Sequence, residues 1–339
     1  MQHEKKSGFL LTGIRFYPVL LLCVSLAVAF LTCIVVKNRH AKTDPVHYLK
    51  NHRFDKSVPI EKRTGEIPDV ILAHMRELDG RSDYKGYTPD SSDMKEIARS
   101  LDNIPLLAKT VLAERLIGIY FIRDMIGSGL TEWVIGNDNM FYGFIVINPG
   151  SLKTGLSDYI TEKEKTCFKA MGAGDGLRVD CGSDYTGFLY IILHESVHLV
   201  DYANFLTPFV EDAVLPFRGD IPDATPFTEN IWERYDLPKH DFAGRKNVTF
   251  YGLGGGPKIP FSQAAEVYSE VENSPFPSLY ASMNWAEDLA EMVTFHHITS
   301  ILNKPYRISV IIQGRETYSS RPMERRPVKN RLAAIKIFY

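Results

Sequence analysis

Four cysteines in 339 residues are too few for a disulfide-dense scaffold. Two of them, Cys23 and Cys33, lie inside a lipophilic stretch near the N-terminus, which also removes a four-cysteine zinc site. An excess of either charge is missing as well. Lys and Arg number 39 against 41 Asp and Glu, a formal net charge of −2, so no global basic field points to nucleic acid. No internal repeat is visible. With 45% hydrophobic and 24% charged residues the composition is globular, and collagen-like, mucin-like and wholly disordered chains are excluded. The run Gly252–Gly256 lacks the following Lys-Ser/Thr and the strand–helix setting of a phosphate loop, and reads as a flexible turn.

One long hydrophobic run is present. Phe16 to Val36 is 21 residues without a charge, and as a helix it would be about 31 Å long, the thickness of a bilayer's hydrocarbon core. It ends without a small-x-small cleavage site, which favours an uncleaved anchor over a removed signal. Lys5, Lys6 and Arg15 on one side balance Lys37, Arg39 and Lys42 on the other. A short tail (1–15), one anchor (16–36) and a long remainder then predict a single-pass membrane protein with its main domain on the non-cytoplasmic side. There Cys167 and Cys181 either close a small loop or stay reduced and buried.

Residues 37–100 are polar and turn-rich, with one helical stretch near Ile71–Leu78, and read as a stalk or an irregular N-terminal layer. From 101 to 339 the pattern is that of a domain. Pro105 to Gly127 reads as one long apolar helix, and Glu132–Ile135 and Phe141–Asn148 as strands. Asp158–Met171 and Tyr185–Phe205 read as helices, the second apolar nearly all round and therefore buried. Residues 206–277 form a loop-rich insertion with a helix near Ser262–Glu272. A helix over Ser278–Leu302 and a strand at Arg307–Ile312 complete the pattern.

Within Tyr185–Phe205, His194-Glu195-Ser196-Val197-His198 is an H-E-x-x-H. Four-residue spacing on a helix puts both imidazoles on one face, where they can share one ion, with Glu195 beside them as the base for a water. Three ionisable groups on a dry helix are costly unless something pairs them. Zinc takes a third protein ligand. Asp201 and Asn204 stand where a metzincin would have Gly and His or Asp, and no Gly-Thr-x-x-Asp segment follows. The segment Asn284–Glu291 offers an N-cap at Asn284 and stacks Glu287 and Glu291 one turn apart. Glu287 is the expected zinc ligand, and Glu291 the acceptor that orients a ligand histidine. Asp288, rotated about 100° from Glu287, is the weaker option.

The segments HESVHLVDY and Tyr280-Ala-Ser-Met-Asn284-Trp-Ala-Glu287-Asp-Leu-Ala-Glu291 resemble the catalytic domain of the anthrax lethal factor-type zinc metallopeptidases, which are gluzincins. There H-E-x-x-H is followed by x-V-D, and a later Y-x-x-x-N-x-x-E-x-x-A-E carries the glutamate ligand and a catalytic tyrosine. The motif-level resemblance covers Tyr185–Phe205 and Ser278–His296, with a looser likeness of layout from Ile104. It departs in the 88 residues between His198 and Glu287, more than that family leads one to expect. The resemblance implies an α+β, mostly helical zincin-like domain with a small sheet, behind the transmembrane helix. It also implies one Zn²⁺ per chain on His194, His198 and Glu287, Glu195 as general base, and Tyr280 as donor to the oxyanion. Asp201, one turn past His198, belongs either to the shell around the ligands or to a local salt link.

The strand Phe141–Asn148 is the candidate edge for a substrate backbone, with an interior strand as the alternative. His296 and His297 have poor spacing for sharing the metal. Arg321, Arg325, Arg326, Lys329 and Arg331 read as a solvated basic face, able to meet anionic headgroups. The expected function is a membrane-anchored zinc endopeptidase whose partners are a peptide or protein substrate and the bilayer, with no nucleic acid. A non-catalytic zinc-stabilised envelope scaffold and an amide hydrolase of cell-wall peptides are the alternatives. A cleft that reaches the metal separates the first of these from an enzyme.

Overall fold

The computed structural model describes residues 44–211, 214, 217 and 222–339. Its first longer elements are α1 (Asp69–Asp79) and α2 (Ser91–Leu101). The second is opened by a reciprocal cap in which the Asp90 carboxylate accepts from the Ser92 and Asp93 amides. Helix α3 (Leu106–Arg115) stops where the sequence leads one to expect continuation to Gly127, and β1 (Leu116–Phe121) begins at once. All six β1 residues are buried, and such an apolar run is shared by buried helices and buried strands. Arg63, distant in sequence, ends the helix. Its guanidinium donates to the carbonyls of Leu112, Ala113 and Leu116 at 2.8–3.2 Å and satisfies the helix terminus.

Strands β2 (Gly129–Ile135) and β3 (Phe141–Ile147) complete a sheet of order β1-β3-β2, with β1–β3 parallel and β2–β3 antiparallel. Because β3 lies between two partners, the expected edge for a substrate moves from Phe141–Asn148 to β2. Next come α4 (Leu156–Lys165), β4 (Gly176–Asp180) and α5 (Gly187–Asn204). Beyond the loop after α5, β5 (Trp232–Arg234) and β6 (Leu237–Pro238) form a two-stranded ribbon. α6 (Ala264–Glu272) and α7 (Trp285–His296) follow, then β7 (Arg307–Ile312) and β8 (Arg315–Ser320), which pair with β4 in the order β4-β7-β8. Pro45–Tyr339 forms one unit, and Ile97 and Leu101 of α2 enter its main core.

Helix α5 runs through that core, between the first sheet and α7. It approaches β3 closely because Gly143 has no side chain, and a Cβ there would lie 2.8 Å from Leu199. The expected fold class is corrected on two counts. Among the described residues the sheets are three and small rather than one. Among the described residues no helix is long and apolar enough to cross a membrane, and Phe16–Val36 lies outside those residues. The expected transmembrane helix, single-pass membrane placement and non-cytoplasmic orientation are withdrawn with it. The longest apolar helix that is described, α5, has its hydrophobic residues taken up by the protein core. Cys167 and Cys181 are buried and free, and burial pushes both thiols well above their ordinary pKa, so the small disulfide loop is not formed.

Candidate metal centre

Helix α5 carries His194 and His198 on one face, with ring centroids 4.9 Å apart and planes at 75°. Their Nε2 atoms are 3.1 Å apart. Helix α7 brings the third group. The Asn284 side chain accepts from the amides of Ala286 and Glu287 at 3.0 Å, fixing the helix start, and the first turn then aims Glu287 at the imidazoles. Glu287 Oε2 lies 2.9 Å from His194 Nε2 and 3.6 Å from His198 Nε2. Ligands at about 2.0–2.1 Å from one tetrahedral ion stand about 3.3 Å from each other. The observed separations straddle that spacing, and the group could hold a metal ion.

The ionisation pattern agrees. Burial opposes a charge on His194, but Glu287 and Glu291 outweigh it and lift its pKa to about 10. Burial likewise opposes ionisation of Glu287, yet His198 and His194 hold its carboxyl well below the usual range. Two carboxylates converging on the His194 imidazole are an arrangement that demands positive charge, whether a proton or a cation.

Glu291, fully buried, is one turn beyond Glu287. Its Oε1 accepts from His194 Nδ1 at 3.2 Å, from the Tyr190 hydroxyl, and from Lys163 Nζ at 3.5 Å. Its Oε2 accepts from Ser278 Oγ at 2.5 Å. A carboxylate only accepts, so Nδ1 carries the hydrogen and Nε2 faces Glu287. Despite burial, Lys163 and His194 bring the Glu291 pKa down to about 2.

Glu195 lies on the sheet side of α5. Its Oε2 is 2.8 Å from Thr131 Oγ1 on β2, a hydroxyl also 2.9 Å from the Glu195 carbonyl. Gly129, at the start of β2, leaves the space that the carboxylate occupies. A cavity of about 220 Å³ reaches His194, Glu195 and Tyr280, walled by Met75 and Leu78 of α1 and by Tyr251 and Leu253. Tyr251 and Leu253, from the loop-rich stretch 206–277, therefore border the cleft, and among the described residues the cleft reaches the site. Tyr280 sits with its ring 5.7 Å from His194, edge-on to Phe250, and 4.2 Å above the Lys163 ammonium. Among the described residues its hydroxyl makes no hydrogen bond.

Other candidates lie elsewhere. Both Asp201 oxygens accept from Thr207, at 2.7 Å from its amide and 2.5 Å from its hydroxyl. Asp201 therefore shapes the turn after α5, and burial raises its pKa to about 6. Asp288 is bidentate to Arg331 at 2.9 and 2.6 Å and accepts from Trp232 Nε1, so it is not a spare ligand. Arg331 is thereby removed from the expected solvated basic face. Arg325 is removed too, since it donates to the carbonyls of Val271 and Phe276. His296 and His297 pack against Tyr339.

Thr131, Lys163, Tyr190 and Ser278 are partners that the sequence reading missed. Tyr190, four residues before His194, and Ser278, two residues before Tyr280, stand in segments that marked themselves, whereas Thr131 and Lys163 do not. Comparison with protein-family models, curated proteins and solved structures returns no match, so the chemistry of this centre is argued from its own geometry.

Proposed function

We propose that the chain is a zinc-dependent endopeptidase of the gluzincin type, with His194, His198 and Glu287 as the metal ligands. The observation that carries the reading is the mutual spacing of those three donors, one of which, His194, lines a cleft that also reaches Glu195 and Tyr280. Zinc held there would polarise a scissile carbonyl and acidify a water. Glu195, fixed by Thr131, takes the proton from the attacking water and later delivers it to the leaving amine. Tyr280 offers its uncommitted hydroxyl to the developing oxyanion. Glu291 keeps His194 in the tautomer that leaves Nε2 for the metal. Strand β2, at the sheet edge beside Glu195, supplies the backbone along which an extended peptide can align. An open cleft favours an enzyme over a scaffold whose site would be closed by protein ligands.

The test pairs zinc content with hydrolysis. The wild-type chain should hold zinc and cleave an unfolded protein such as reduced casein. Glu195→Gln should keep its zinc and lose cleavage by about 100-fold or more. Undiminished cleavage by that variant would remove the mechanism.

A further inference from the structure

Successive strand residues face opposite ways, so Glu132 points away from the side on which Thr131 meets Glu195. On that other side stand His47, in the turn Pro45–His47, and His74, in the middle of α1. We propose that His47, His74 and Glu132 form a second divalent-metal site, separate from the peptidase centre, that clamps the N-terminal layer to β2.

Glu132 Oε2 lies 3.4 Å from His74 Nε2, close to the separation between ligands of one tetrahedral ion. The two imidazoles each bring a ring nitrogen within 4.8 Å of the other. Their centroids are 5.5 Å apart with planes at 79°, nearly the disposition of His194 and His198. His47 is preset as a ligand. Its ring stacks on Trp133, and its Nδ1 lies 3.1 Å from the Trp133 carbonyl, which can only accept. A hydrogen on Nδ1 serves that carbonyl, with Glu132 Oε1 4.0 Å from the same nitrogen, and leaves the Nε2 lone pair for a metal.

The surroundings argue against a solvated ion pair. Side chains of His47, His74 and Glu132 are only 9%, 10% and 15% exposed. They adjoin a satellite core that includes Val46, Ile71, Met75 and Val134. An ionised carboxylate beside that apolar cluster is costly without a strong partner. Two imidazoles and one carboxylate suit zinc or a similar borderline ion. Such an ion would join three segments distant in sequence, two of which, α1 and β2, also line the cleft through Met75, Leu78 and Gly129.

The test is a zinc count on the full chain, stripped of metal, reloaded and desalted. Two zinc ions per chain are expected for wild type, one for His74→Ala and one for the double variant His194→Ala/His198→Ala. The count does not need catalysis. A single zinc that survives in the double variant therefore upholds this site even if no peptide is cut. A single zinc that vanishes in the double variant, or no zinc at all, overturns it. Should His74→Ala fail to fold, Co²⁺ titration of the double variant replaces it. One equivalent should develop a visible spectrum, and adding Glu132→Gln should weaken that binding about tenfold or more. No spectrum, or no effect of Glu132→Gln, overturns the site.

Discussion

One added methyl group tests how tightly Glu195 is held. A Cβ at Gly129 would lie 2.8 Å from Glu195 Oε1, 2.8 Å from Ile191 Cγ2 and 3.1 Å from Glu195 Cδ. Ordinary contact begins at 3.4 Å, so in Gly129→Ala the carboxylate must retreat by about 0.6 Å. The Gly129 backbone is not left-handed, and alanine brings no backbone strain of its own. The cost falls instead on the hydrogen bond from Thr131 and on Ile191. A misplacement of about 1 Å in a reacting group costs about 100-fold in rate, so kcat should fall by roughly 10- to 100-fold. KM should change little, because no wall of the cleft is removed. Overpacking at Ile191 should lower stability by about 1 kcal/mol. Zinc content should be unchanged, since none of the three ligands is touched. A fluorogenic peptide assay gives the split between kcat and KM, with Gly65→Ala as control, where a Cβ meets nothing within 4 Å. A Gly129→Ala variant with wild-type kcat refutes the placement of Glu195 against β2.

Further outcomes follow from the contacts of the two histidine-facing glutamates and of Asp288. Because a metal must displace the proton that Glu287 and Glu291 hold on His194, apparent zinc affinity should rise about tenfold per pH unit from roughly pH 6.5 to 9. A flat profile in chelator competition contradicts this. For the metal-free protein the sign reverses: the His194 contribution to stability is full below about pH 6.5 and is lost as pH climbs through about 10, measurable as urea midpoints across that range. Glu291→Gln should weaken zinc binding by about 10- to 100-fold, and unchanged affinity would deny its orienting role. Asp288→Asn strands a buried Arg331 and should cost about 3–5 kcal/mol in denaturant unfolding. Replacing both partners with Leu and Met should cost less than that single change, and a larger loss would contradict the pairing.

What the sequence disclosed is mainly local. H-E-x-x-H, the Asn284 cap and the stacked Glu287 and Glu291 are patterns within a few residues on one helix, where periodicity speaks directly. The strands around Glu132 and Phe141 were legible from β-branched and aromatic residues. Long-range partners were not. Nothing near Thr131 marks it as the neighbour of Glu195, 64 residues away, and Lys163 reads as an ordinary helix-surface lysine until the fold buries it under Tyr280. The break between α3 and β1 was missed because the signal that ends the helix, Arg63, lies about fifty residues upstream. The position of β3 inside its sheet depends on pairing order, which no single segment encodes. The basic tail misled for a similar reason, since Arg331 finds Asp288 only in the folded chain.

The pairing Thr131–Ile145 and Glu132–Phe144 carries a consequence for how the strand finds its place. Sliding β2 by one position against β3 would turn every side chain over. Thr131 would leave the base without its donor, and Glu132 would confront another carboxylate in a closed space while abandoning two histidines. An electrostatic penalty is thereby added to the hydrophobic one, so misregistered chains lose on both faces together. The alternation along these two neighbours acts as a proofreading device for assembly of the cleft.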